Sequence, residues 1–61
     1  MKIHFERVDG KQLDVPEYMD LPFTPRTGEK IVLPRVGFVG IVDVIYDQRP
    51  KRGWVATVKV G

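Results

Sequence analysis

The residues with most chemistry to offer lie in one short run, Asp47-Gln48-Arg49-Pro50-Lys51-Arg52-Gly53, followed at once by Trp54. Three cations beside an aromatic ring can neutralise phosphates while the ring stacks on a base. Arg35 and Tyr46 would extend that surface. The plainer reading of the same run is a solvated hairpin loop, with Lys and Arg at the surface for solubility and Trp54 filling the core.

Reactive groups are sparse elsewhere. The 61 residues include no serine, cysteine or asparagine, which leaves Thr24, Thr27 and Thr57 for covalent catalysis. His4 is the lone histidine, without a nucleophile to activate or further ligands at metal-binding spacing. Gly37-Phe38-Val39-Gly40 has no following lysine and opens no helix, so it is not a phosphate loop. A monomer this small also lacks room for a large pocket. These features predict a chain that is not an enzyme and carries no metal or cofactor. Asp43, an acid set among apolar residues, is expected to pair with Arg35 or Lys59 or to face water.

A second feature is apolar character on both faces of one segment. Phe38, Val42, Val44 and Tyr46 lie on one side of an extended strand; Val39, Ile41 and Ile45 lie on the other, broken by Asp43. So short a chain has a single interior. With the first set as core, Val39, Ile41 and Ile45 are left either covered by a loop or exposed. Exposed, and joined by Val32 or Val55, they form a strip suited to a protein partner or a dimer seam.

The elements that must position these residues are strands. Ile3 and Phe5 alternate with Lys2, His4 and Glu6, and Asp9-Gly10 marks a tight turn. Leu13 and Val15 then predict a short return strand stopped by Pro16. Residues 16 to 28 read as a long loop stiffened by Pro16, Pro22 and Pro25. Its Tyr18, Met19, Leu21 and Phe23 are apolar enough to plug an open end of the sheet. Lys30 to Leu33 predicts a strand closed by Pro34, and Phe38 to Tyr46 a long β-branched strand with a bend or bulge at Gly40. After a polar loop, Trp54, Ala56, Val58 and Val60 alternate in a final strand. Five strands and no helix predict an all-β single domain spanning 1–61, either a small five-stranded barrel or a strongly curled antiparallel sheet.

Composition narrows the setting. Residues 1–29 carry four Lys/Arg and six acids, and residues 30–61 carry six and two, so charges of −2 and +4 make up the net +2. That polarity can steer an anionic partner. Without cysteine there is no disulfide to staple so small a core, so stability must come from apolar packing or from association. The lack of cysteine fits a reducing cytoplasm. No apolar run is long enough for a helical membrane span, and the first residues alternate polar and apolar, unlike a signal peptide.

The stretch Gly28-Glu29-Lys30-Ile31-Val32-Leu33, a turn, and Gly37-Phe38-Val39-Gly40-Ile41-Val42-Asp43-Val44-Ile45 resembles an SH3-like barrel. It is similar in particular to the glycine-punctuated hairpin of KOW and Tudor-type small barrels. Pro34-Arg35 departs from the glycine turn usual in KOW sequences. From Pro25-Arg26-Thr27-Gly28-Glu29 onward the pattern also looks like short uncharacterised proteins of phages and other mobile elements. The plasmid-borne type II dihydrofolate reductases are likewise short SH3-like barrels. Val44-Ile45-Tyr46 shares two residues of their glutamine-isoleucine-tyrosine signature and lacks the glutamine.

The expected function is a non-catalytic interaction module that binds protein or self-associates through Val39, Ile41 and Ile45, with Arg49, Lys51 and Arg52 as a cationic rim. The alternative is nucleic-acid binding through Arg35, Arg49, Lys51, Arg52 and Trp54. A remote third is an enzyme whose site forms only on oligomerisation.

Overall fold

The computed structural model describes residues 1–61. The chain is all β: β1 (Lys2–Arg7), β2 (Met19–Asp20), β3 (Lys30–Leu33), β4 (Gly37–Arg49) and β5 (Gly53–Val60). They form one mixed sheet in the order β2-β1-β5-β4-β3, curled into a half-barrel. β2 and β3 are its two edges and do not pair with each other. The chain has no helix long and apolar enough to cross a membrane.

The β3–β4–β5 meander is antiparallel, as alternating apolar runs joined by short turns dictate. β1 instead runs parallel to β5, from Lys2 opposite Val55 to Arg7 opposite Val60, which makes the sheet mixed and not antiparallel throughout. The expected return strand at Leu13 and Val15 does not form. Asp9-Gly10 does turn: the Gly10 amide donates to the Arg7 carbonyl at 3.1 Å, with Gly10 at φ 81°. β5 holds one side of β1, and the other is taken by β2, inside the stretch expected as a single loop. Leu13 and Val15 serve as core filler, alongside Met19 and Leu21.

Both meander turns repeat one five-residue pattern, x-Pro-cation-x-Gly: Leu33-Pro34-Arg35-Val36-Gly37 and Arg49-Pro50-Lys51-Arg52-Gly53. In each, the fourth residue's amide donates to the first residue's carbonyl at 3.2 Å. Proline presets the second position, and the cation takes the third at φ 68° in both turns, a left-handed position that ordinarily favours glycine. The Pro25-Arg26-Thr27-Gly28-Glu29 segment is another turn. The Glu29 carboxylate accepts from the Arg26 amide at 2.8 Å, and Gly28 is at φ 90°, so the chain enters β3 at a set angle.

The core lies on the concave face. Ile3 and Phe5 (β1), Ala56, Val58 and Val60 (β5), Val39 and Ile41 (β4) and Leu33 (β3) are buried there with Leu13. In β4 this reverses the expected phase. Val39 (7% exposed) and Ile41 (3%) are core, whereas Phe38 is 80% exposed and Val42 and Tyr46 are about half exposed. The register shifts between Ile41 and Asp43. A bulge spends two residues on one step of the partner strand. The alternation therefore flips, and Val44 returns to the core side while Ile45 faces out.

Candidate functional site

The convex face of the sheet divides into two halves of different chemistry, both set by strand alternation. Lys2, His4 and Glu6 of β1, Val55, Thr57 and Lys59 of β5, and Ile45, Asp47 and Arg49 of β4 point to this face. Lys30 and Val32 of β3, with Phe38, Gly40 and Val42 of β4, complete it.

The half over β1 and β5 is a closed polar network. Glu6 accepts hydrogen bonds from Lys59 and, at 3.1 Å, faces Nε2 of His4. Nδ1 of His4 donates to the Glu17 carbonyl at 2.7 Å. Both ring nitrogens are thus engaged, and His4 ties β1 to the segment leading into β2. The hydrogen bond from Lys59, aided by its charge and by His4, holds the Glu6 carboxyl below its usual range against a smaller opposing effect of burial. Next to this trio, Arg49 donates to the Tyr18 hydroxyl at 2.8 Å, to Asp47 at 3.2 Å and to the Thr57 hydroxyl at 3.2 Å. The Tyr18 and Asp47 contacts raise the Arg49 guanidinium above its ordinary pKa. The Arg52 guanidinium stands 4.4 Å from the Tyr18 ring centroid, a cation–π contact. Under this layer Val55 is fully buried and Thr57 nearly so. Oδ1 of Asp47 is shielded without a partner.

The half over β3 and β4 is bare. Val32 and Phe38 are opposite each other in register and are 59% and 80% exposed. Val42 and Ile45 continue the same face at 49% and 46%. Gly40, between Phe38 and Val42, leaves open space where a side chain would stand, in a shallow depression bordered by Lys30 and Phe38. The result is an apolar strip along the outer face of the hairpin, with Lys30 on one flank and Asp43 on the other. Neither charge is in an ion pair. Asp43 sits across from Lys59 in register, but Lys59 turns to Glu6, and Asp43 accepts only from the Val44 amide at 2.9 Å.

The residues expected to form one strip therefore part company. Val39 and Ile41 are core, and Ile45 alone is on the outer face. The strip that exists is built from Val32, Phe38, Val42 and Ile45. Alternation implied it once phase was known, but both faces of β4 carry β-branched or aromatic residues, so composition gave no phase.

The cations expected to form one surface come together only in part: Arg49 and Arg52 both flank the Tyr18 ring, and Arg35 is apart from them. Arg35 is at the β3–β4 turn, 3.9 Å from Asp14. Arg49 is tied into the polar network and Arg52 lies over Tyr18, both on the convex side. Lys51 is at the β4–β5 turn. Trp54, 60% exposed, belongs by alternation to the opposite, concave side, beyond the core and one step from Tyr46. A groove between β1 and residues 10–17 is lined by His4, Glu6, Arg7 and Lys59, with Lys59 paired to Glu6 and Arg7 to Asp9. No family model, curated protein or solved structure matches the chain.

Proposed function

We propose that this protein is a small non-catalytic interaction module that docks another protein surface on the strip Val32, Phe38, Val42 and Ile45. The observation that carries this reading is the contrast between the two halves of one sheet face. Over β1 and β5 the polar network covers Val55, which is fully buried. Over β3 and β4 the chain leaves four large apolar side chains together in water.

Burying apolar surface contributes roughly 25 cal/mol per Å², so leaving such a patch exposed forgoes stabilisation that a partner can restore. The adjoining edge is guarded. β3 has four residues, begins with Lys30 and is followed by Pro34, features that oppose open-ended strand addition. The face, not the edge, is the docking element. The separation of Arg35 from Arg49, and of both from Trp54, favours the apolar strip over a phosphate-tracking groove.

Site-specific photo-crosslinking tests the proposal. A photoreactive residue is placed at Val32 or Ile45, with exposed Val8 at the end of β1 as the control position. Adducts in the cells that produce the protein are expected at the two strip positions and not at Val8. Equal yields at all three, or none at the strip, would rule the strip out as the docking surface.

A further inference from the structure

We infer that the strip's occupant is a second copy of this chain, packed face to face about a two-fold axis that crosses β4 at Ile41. The inference rests on the strip being the docking surface, and it comes from the spacing that the bulge creates. The register places Val60 opposite Ile41, Lys59 opposite Asp43 and Thr57 opposite Ile45. Val42 and Asp43 therefore share one step. Counted in steps along β4, Gly40 and Asp43 lie one step either side of Ile41, and Phe38 and Ile45 lie three steps either side.

A two-fold axis in the interface plane, perpendicular to β4 at Ile41, exchanges these positions. The two β4 strands then run antiparallel. Phe38 of each copy faces the partner's Ile45, and the two Val42 side chains lie one step either side of the axis, each toward the partner's Gly40. The partner's Asp43 descends on Gly40, where the missing side chain leaves space. Lys30, opposite Gly40 on the neighbouring strand, is the nearest cation there. An isologous interface needs each contact to occur twice with the roles exchanged. One unpaired cation at the Gly40 step and one unpaired anion at the Asp43 step, either side of the axis along β4, meet that requirement, whereas an unrelated partner has no need of it. The patch is at the small end of specific interfaces, so the dimer is expected to be weak and concentration-dependent.

Sedimentation equilibrium over a micromolar-to-millimolar series, with thermal unfolding as a check on folding, provides the test. Lys30→Asp and Asp43→Lys each place like charges across the axis twice, and each should weaken dimerisation about tenfold. Mixing the two variants should restore association at the wild-type level, because every cross-axis pair in the mixed dimer is again of opposite sign. The double variant should be restored as well. Single variants that associate like wild type, or a mixture no better than its components, would overturn the reciprocal pairing. A monomeric wild type whose crosslinks at Ile45 reach a different protein would overturn the second copy and leave the strip's role standing. A monomer with no crosslinks at the strip would remove both.

Discussion

Glu6 shows how one side chain couples the polar half of the convex face to stability. Its pKa is held down chiefly by the hydrogen bond from Lys59. The folded chain therefore binds the Glu6 proton less readily than the unfolded chain does. A depressed carboxylate contributes stability that is fully present at neutral pH, above its unfolded pKa. That contribution is lost as pH falls from the unfolded value through the lower folded one. Asp9, held down first by the Lys11 amide, and Asp20, held down by Lys2, act in the same direction at the surface. Glu6→Gln should lower stability at pH 7 by about 0.5 kcal/mol, a modest figure because the pair is part exposed. The gap in urea midpoint between wild type and variant should narrow as pH is lowered through and below the ordinary carboxylate range, and a gap of constant size would refute the linkage. Little of this was legible beforehand. His4 reads as a bare surface residue on an outer face, and it does face outward. Its partners Glu17 and, through Tyr18, Arg49 come from segments 13 and more residues away, and no local pattern records them.

At the scale of elements, the bounds of β3 could be read directly, because Gly28 and Pro34 punctuate a short alternating run, whereas the expected five strands counted Leu13–Val15, which forms none, in place of β2. The phase of β4 could not. Period-2 reasoning needs one polar face, and here both faces are apolar from Phe38 to Ile45. The one polar marker, Asp43, lies at the bulge, where it shares a face with Val42 and so misreports the alternation. β2 escaped because a two-residue strand among prolines has no periodicity to detect. The twin turns were visible as x-Pro-cation-x-Gly but not as a shared backbone. A left-handed lysine or arginine costs on the order of 1 kcal/mol relative to a residue at ease there, offset in part by the greater freedom of glycine in the unfolded chain. Lys51→Gly should therefore stabilise the protein slightly, by up to about 1 kcal/mol, seen as a higher denaturation midpoint with an unchanged slope. A loss of stability would mean that Lys51 makes a contact outweighing its backbone strain.

At the scale of the whole molecule, an all-β chain of five strands was expected, and the half-barrel has that composition. The order of its strands was not foreseen, since adjacency of β1 and β5 depends on pairing across nearly the full chain. The parallel register of β1 on β5 joins Lys2 to Val55, 53 positions apart, whereas β3–β4 and β4–β5 close across five-residue turns. Closing a long loop costs more chain entropy than closing a short one, and it must be met before any contact rewards it. The three-stranded meander is thus expected to assemble first, with β1 docking onto β5 after the folding barrier. Ile3→Val, a mild truncation of a fully buried side chain, should then speed unfolding while leaving the refolding rate nearly unchanged in stopped-flow measurements. Refolding slowed by the whole of the stability change would instead place β1 in the nucleus. On this route, β1 is also the first strand to leave when the protein unfolds. Its departure bares Val58 and Val60 along the open side of β5, so the transient species most open to misassembly is a meander without its parallel neighbour, with β5 as a new and unguarded edge.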